Sequence, residues 1–351
     1  MNQLPKTMKG VWLTGHGKLD KLDFRSDIPV PKPTADDVLI RVGAAAVNNT
    51  DINTRTAWYS KGDATSKDAS WTGKAIDFPR VQGIDVCGHI VAVGENVSKS
   101  RIGERVLVEP CLREVKGKAL SQPWFLGSEC DGGFAEFVSV ASRHAYQVRS
   151  TLSDVELASF PCSYSTAGNM LAKSKVYSDD LVLVTGASGG VGSAAVQLIK
   201  SRGADVIAVT NSLKSHNLIA LGATKTINRD QSVVEALGAN SVDVVIDLVG
   251  GKSWQALLEI LKPGGRYVVS GAIAGSFVEL DLRTLYLKDL SFFGCTVLEP
   301  EVFPDLIDLI ETRNIKPIVA HTFPLEDIVK AQEVFLLKKH IGKIVLSINT
   351  Q

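Results

Sequence analysis

The sequence lacks most of the features that would mark a secreted, membrane-bound or nucleic-acid-binding protein. Its five cysteines, Cys87, Cys111, Cys130, Cys162 and Cys295, are scattered and include no C-x-x-C pair. Neither a disulfide framework nor a structural zinc cluster with closely spaced ligands is therefore expected. Charge of one sign is also lacking: 38 Lys and Arg residues balance 38 Asp and Glu. No overall basic field exists to draw nucleic acid or an anionic membrane. No apolar run approaches the roughly 18 residues of a spanning helix, and the N-terminal MNQLPKTMKGVWLTGHG has no charged-then-apolar signal pattern. Internal repeats and low-complexity tracts are missing too. These absences predict a cytoplasmic protein whose partner is a small molecule.

What is present is enough chain for two cores. At 351 residues the sequence exceeds the roughly 250–300 at which one hydrophobic core stops growing. The stretch Leu181 to Arg202, LVLVTGASGGVGSAAVQLIKSR, carries the most information. Its first four residues form a continuous apolar run, as a strand buried on both faces of a parallel sheet requires. A glycine-rich turn opens a helix in which Val191, Ala194, Ala195, Leu198 and Ile199 share one face, while Gln197, Lys200 and Arg202 point elsewhere. Ala187, Gly189 and Gly192 take the three positions of the G-x-G-x-x-G dinucleotide fingerprint, with alanine for the first glycine, and Ser188, Gly190 and Val191 fill the turn. The N–H groups at the helix start would face a pyrophosphate.

A second apolar strand, Val206 to Val209, follows. Where an NAD enzyme usually places an acid for the ribose hydroxyl, this chain has Thr210, Asn211, Ser212 and then Lys214. Nothing there repels a 2′-phosphate, so NADPH is the expected cofactor. Lys214 would supply a point charge, and Asn211 and Ser212 hydrogen bonds.

Before this region the chain reads as short strands punctuated by glycine and proline: Met8 to Leu13, Asp37 to Val47, Gly88 to Val93, Glu104 to Glu109 and Phe134 to Val140. Pro29, Pro31 and Pro33 mark an extended connection, and a short helix is expected within Asn48 to Tyr59. The polar stretch Ser60 to Phe78 suggests a mobile rim or lid, neighboured by a second long loop, Cys111 to Cys130. From Ser153, which can cap a helix at Asp154 to Phe160, helices and strands alternate. A helix at Ser165 to Lys175 precedes the strands already named. Then come a strand at Asp243 to Leu248, a helix at Ser253 to Leu261, the turn Lys262-Pro-Gly-Gly and strands at Arg266 to Ser270 and Leu290 to Val297. A helix at Phe303 to Thr312, a strand near Ile318 to Phe323, a helix at Leu325 to Leu337 and a strand at Gly342 to Ile348 close the chain. The expected fold is α/β. It has a β domain over 1–155 completed by 300–351, a doubly wound domain over 156–299 with the cofactor at the carboxyl ends of its strands, and an active site in the cleft between the two.

Several segments, in this order, resemble the medium-chain dehydrogenase/reductase superfamily, and within it the quinone-oxidoreductase-like branch. They are VGAAAVNNTDINTR, GIDVCGHIVAVGENV followed by IGERVLV, GGFAEFVSV, GASGGVG, DVVIDLVGG, LKPGGRYVVSG and HIGKIVLSI. The resemblance implies a GroES-like β domain with a Rossmann domain inserted before its last segment. It adds Val249 and Gly271, in the fifth and sixth of these segments, to the cofactor-binding candidates. Zinc enzymes of the superfamily carry a cysteine, a histidine in G-H-E, and a second cysteine. Here those positions hold Asn48, Ile84 with Asp85 after it, and Cys162, so no metal is expected, and His89 is a poor substitute ligand. The cysteine cluster of the family's structural zinc is missing between Glu109 and Gly132.

Without a Lewis acid the acceptor should spread charge through its own conjugation, as quinones, enones and enals do. Asn48, Thr50 or Tyr59 would donate hydrogen bonds to the developing oxyanion, Asp51 would orient its neighbours, and Arg55 is a further candidate. The rival readings are a redox-inactive NADPH-binding protein and an alcohol dehydrogenase-like enzyme. The apolar strand Ser291 to Val297, at a sheet edge, suggests a homodimer formed by edge pairing.

Overall fold

A computed structural model describes residues 4–61 and 67–348. The chain forms two compact units, Ser163–Lys316 and the remainder.

Ser163–Lys316 is built on six parallel strands. In spatial order they are Lys225–Asn228, Asp205–Thr210, Leu181–Val184, Val242–Asp247, Leu261–Val269 and Ser291–Gly294. Numbered by chain order the sequence is 3-2-1-4-5-6, the doubly wound arrangement. Its switch point lies between Leu181–Val184 and Val242–Asp247, where crossovers diverge and leave a crevice at the strands' carboxyl ends. The apolar runs predicted as strands are buried, with Val182, Leu183, Val184, Val244, Val245 and Ile246 all inaccessible. Lys225–Asn228 was not expected: with Ile227 as its one apolar residue, an edge strand gives little signal. Lys262-Pro-Gly-Gly is not a separate turn but lies inside the strand Leu261–Val269, where Gly264 adopts φ +77°. Gln197, expected to point away from the core, is buried in it. Its amide donates to the Tyr164 hydroxyl at 2.8 Å and to the Lys316 carbonyl at 3.1 Å, and accepts from Lys316 N at 2.8 Å.

That clasp helps explain why this unit ends at Lys316 rather than at 299. The helix Val302–Glu311 buries Val302, Phe303, Leu306, Ile307 and Ile310. Asn169 also ties the preceding segment down, donating to Val297 O at 3.0 Å and accepting from Glu299 N at 3.0 Å.

The other unit centres on the strand Asp37–Val47, which is buried along most of its length. It pairs antiparallel with Cys87–Val93, Phe137–Ala141 and Lys343–Ser347. The last of these also pairs in parallel with Val319–Pro324, so the C-terminal segment completes a sheet begun by the N-terminal one. A three-stranded sheet of Leu22–Pro29, Thr7–Leu13 and Arg80–Val81 lies in the same unit.

The predicted loop 111–130 is largely a two-stranded ribbon, Cys111–Val115 against Lys118–Phe125. Lys116 and Gly117 turn it with φ of +51° and +71°. A Lys-Gly turn gives a weaker hairpin signal than Asn-Gly or Asp-Gly. The buried His144 anchors its base: Nδ1 lies 2.9 Å from Glu109 Oε2, and Nε2 accepts from Arg113 N and Glu114 N at 3.0 and 3.2 Å. Residues 62–66 of the expected lid lie outside the described residues. Its other portions are tethered: Lys61 N donates to Asp68 at 2.9 Å, Thr72 N to Glu129 at 2.9 Å, and the Trp71 indole to Thr50 Oγ1 at 3.0 Å.

Ser153 caps as expected. It accepts from Glu156 N at 3.3 Å, and the Glu156 carboxylate accepts from Ser153 N at 2.8 Å, a capping box that starts the helical turn Asp154–Leu157. The next helix begins at Pro161 rather than Ser165. Proline at the first helical position forfeits only an N–H that has no helical partner there.

Candidate active site

The expected cofactor residues gather at the carboxyl ends of the parallel strands. Thr185, just past the first strand, donates from Oγ1 to Asp247 Oδ1 at 2.6 Å and accepts from Leu248 N at 2.9 Å. The fully buried Asp247 also accepts from Val249 N at 2.9 Å, from Gly250 N at 3.1 Å and from the Tyr267 hydroxyl. One carboxylate thus fixes the ends of two adjacent strands and the loop carrying Val249. Neither Thr185 nor Asp247 stands out in the sequence, although an acid closing an apolar run is a readable signal.

Between those ends Gly186 turns the chain with φ +58°. Its carbonyl accepts from Gly189 N at 3.1 Å, and Ala187 N donates to Val209 O at 3.1 Å. Gly189 is the exposed N-cap of the helix Gly190–Ser201, in ordinary extended geometry. Gly190, Val191 and Gly192 form the first turn, whose N–H groups have no partner within the helix. A methyl group at Gly192 would meet Gly186 O at 2.4 Å and Ala187 Cα at 2.6 Å, whereas one at Gly189 would find its nearest neighbour at 3.5 Å. Backbone is therefore packed tightly under the turn, while the outer side by Gly189 and the half-buried Ser188 is open. A pyrophosphate fits that cradle. Val249 abuts Gly186, and a side chain at Gly271 would meet Leu248 O at 2.7 Å, so both positions belong to the same rim.

After the second strand, Asn211 Oδ1 accepts from Leu213 N at 2.9 Å and caps the short turn Ser212–Lys214. Ser212 is exposed and Lys214 half-buried. Burial first, and then the positive charge of Arg229, pushes the Lys214 ammonium below its usual range. Arg229 is thus a second cation near Lys214. It is held there by Arg229 N donating to Thr210 O at 2.8 Å. No sequence signal pointed to it, because Arg229 follows an unpredicted strand.

The expected catalytic residues sit where the strand Asp37–Val47 passes into the helix Asn49–Arg55. Asn48 is buried and both its amide hydrogens are committed, one to Ala46 O at 3.1 Å and one to Asp85 Oδ2 at 2.8 Å. Its Oδ1 accepts from the Lys343 ammonium, which also lies 2.8 Å from Asp85 Oδ2. Asp85 Oδ1 accepts from Cys162 N at 2.6 Å. Asp51 accepts from Asn48 N at 2.8 Å and Gly83 N at 3.2 Å. Burial lifts its carboxyl to about 7, with a further push from Asp85, against the pull of those N–H groups and of Lys343.

Thr50 and Tyr59 face each other. The Tyr59 hydroxyl pairs with Thr50 and accepts from Asn53 Nδ2 at 3.3 Å. Burial raises the phenol to about 12, which keeps it a neutral donor at physiological pH. Its ring lies 4.6 Å from that of Trp71, which lies 4.7 Å from Phe125 at the foot of the ribbon. Arg55 is a tie within the fold: buried, it donates to Gln332 Oε1 at 3.1 Å and Gly17 O at 2.7 Å. His89 is half-exposed, 3.9 Å from Asp154. Among the described residues no three His, Cys, Asp or Glu side chains are grouped so as to share a metal ion, and no helix is long and apolar enough to cross a membrane.

Two family models match the chain: "Alcohol dehydrogenase GroES-like domain" over residues 34–150 and "Zinc-binding dehydrogenase" over 190–312. An acryloyl-coenzyme A reductase of Sulfurisphaera tokodaii is 30% identical, with 97% of this chain and 99% of that protein covered. A quinone oxidoreductase of Rattus norvegicus is 29% identical, with 97% and 98% covered. A solved Sinorhizobium meliloti structure, provisionally described as an alcohol dehydrogenase, superposes with a TM-score of 0.92 at 41% identity, covering 99% of each chain. The likeness runs through both units and joins a GroES-like domain to a Rossmann domain, and the chain belongs to the medium-chain dehydrogenase/reductase superfamily, on its quinone-oxidoreductase-like side.

Proposed function

We propose that this protein is an NADPH-dependent reductase that passes hydride to a conjugated acceptor, a quinone, enone or enal, without a catalytic zinc. The observation that carries this reading is the Lys343 ammonium bound to both Asp85 and Asn48. A divalent metal does not fit a donor set that already holds a cation and whose other members are an amide, Ile84 and the single thiol of Cys162. No Lewis acid then polarises an isolated carbonyl, so the acceptor has to delocalise the charge it gains.

Bound NADPH would supply the hydride. The chain's own contribution is to hold the phosphates at the N-terminus of the helix Gly190–Ser201 and to place Lys214 and Arg229 by the 2′-phosphate, with Asn211 and Ser212 as further partners. On the acceptor side, the hydroxyls of Thr50 and Tyr59 spend one of their two hydrogens on each other and leave the other to offer. Asn48 has none left, and it acts with Asp51 to fix the start of the helix Asn49–Arg55. The substrates for which the two curated relatives are named, a quinone and an acryloyl thioester, are both conjugated acceptors, which supports the class. A homodimer is the proposed assembly. Among the described residues the edge strand Ser291–Gly294 has an unpaired side, and Ile273, Phe277, Leu282, Tyr286 and Leu287 of the same unit are strongly exposed, an apolar surface that pairing would cover.

The test is a panel of quinones, enals and alcohols assayed with NADPH and with NADH after exhaustive chelation. Turnover of conjugated acceptors with NADPH is expected. Activity confined to alcohols, or abolished by chelation, refutes the proposal, and binding of NADPH without any turnover marks a redox-inactive protein.

A further inference from the structure

The candidate catalytic junction is held by a closed triangle of buried groups. The Lys343 side chain is 4% exposed and that of Asp85 is inaccessible. The ammonium meets the Asp85 carboxylate and the Asn48 carbonyl oxygen, and Asn48 Nδ2 returns to the same carboxylate oxygen. Three separate segments converge there: the C-terminal strand Lys343–Ser347, residue 85 just before the strand Cys87–Val93, and the end of the strand Asp37–Val47. The second oxygen of Asp85 takes the N–H of Cys162, so every polar contact of the carboxylate is internal. A lysine buried this deeply is rare unless it is paired, and removing one member of such a pair strands a charge.

We propose that Lys343 is the resident cation of this site: its ammonium meets the demand of Asp85 and Asn48 for positive charge that a divalent metal would otherwise satisfy, and it thereby closes the site to metal. The register makes this specific. Ile344 pairs with Val47, which sets Lys343 beside Asn48, and among the described residues Lys343 is the one cation paired with Asp85. The neighbouring titratable groups, Asp51, Cys162 and Tyr59, supply no further cation. The inference builds on the zinc-free reading above but can fail separately from it.

The experiment uses the full chain, purified from zinc-supplemented medium, as wild type, Lys343→Met, Asp85→Asn and the double variant. Each sample is read by metal analysis and by melting temperature with and without chelator. Wild type is expected to carry no stoichiometric zinc and to melt at the same temperature in chelator. Each single variant should lose on the order of 10 °C, as a broken buried pair does, and the double variant should recover most of the loss. Single variants too unstable to purify, with a double variant that folds, support the proposal equally. One zinc per wild-type chain whose removal lowers the melting temperature overturns both readings. Zinc-free wild type with losses that simply add in the double variant overturns the resident-cation inference alone.

Discussion

The contrast between Gly189 and Gly192 is the sharpest test of the cofactor assignment, because the two glycines lie three residues apart and have opposite surroundings. A Cβ at Gly192 would fall 2.4 Å from Gly186 O, 2.6 Å from Ala187 Cα and 2.9 Å from Ala187 C. All three are backbone atoms of a turn fixed by the bonds from Gly189 N to Gly186 O and from Ala187 N to Val209 O, so none can swing aside. Gly192→Val therefore forces the helix off the strand, at a cost of about 1–3 kcal/mol or more. At Gly189 the nearest atom is 3.5 Å away and φ is −74°, so Gly189→Val adds no backbone strain. It loses less than about 1 kcal/mol of N-cap preference.

At about 2–4 °C per kcal/mol, Gly192→Val should melt clearly below wild type and Gly189→Val within a few degrees of it. Cofactor affinity should separate them the other way relative to stability. A side chain at Gly189 occupies the open face where the pyrophosphate approaches the helix N-terminus. Losing part of that charge-assisted contact, worth about 1.5–3 kcal/mol, raises the NADPH Kd roughly 10- to 100-fold. Scanning calorimetry of the cofactor-free proteins and fluorescence titration with NADPH give both quantities. Wild-type affinity in Gly189→Val would show that the turn is a structural connection only, and the oxidoreductase proposal would fall with it.

The remaining predictions address charge and the acceptor side. Lys214→Ala should narrow the preference for NADPH over NADH by about 1–2 kcal/mol, allowing for the partial exposure of Lys214, and Arg229→Ala should act in the same direction. Equal Kd values for the two cofactors in wild type contradict the assignment. Trp71→Phe removes the indole donor to Thr50 while keeping an aromatic ring, and should lower kcat more than it raises the NADPH Kd; a change in Kd alone would place Trp71 outside the acceptor side. The Asp51 carboxyl, lifted to about 7 from an ordinary value near 4, binds its proton more tightly folded than unfolded. Its contribution to stability is therefore complete below about pH 4 and is lost as pH rises through 7. Melting temperature measured across that window should show the loss in wild type and a flatter profile in Asp51→Asn, and equal slopes would refute the assignment.

What could be read from the sequence was what short stretches of chain specify for themselves. Apolar residues marked the strands at Leu181–Val184 and near Asp243 to Leu248, and Ser153 marked a helix start, because each signal lies within one element. The glycine spacing marked the tight turn before the helix Gly190–Ser201 for the same reason: the contact that excludes a side chain at Gly192 comes from residues five and six positions earlier. The ribbon 111–125 and the strand Lys225–Asn228 were illegible, since neither a Lys-Gly turn nor a single isoleucine stands above the background of polar chain.

The candidate site failed to read in a different way. Asn48 was expected to be a donor because its stretch resembles the superfamily's segment beside the reacting groups, yet its donors are spent on Ala46 and Asp85. Lys343 did not stand out in the sequence, because solvent exposure is the ordinary expectation for a lysine in a terminal strand. Its burial becomes stable only through a carboxylate brought from a distant part of the chain by sheet pairing, and no periodicity or spacing reports such a pair. The residues most open to misreading here are thus buried charges whose partners are remote, and the sites to re-examine in related chains are those where a missing metal ligand coincides with a lysine on a strand that pairs beside it.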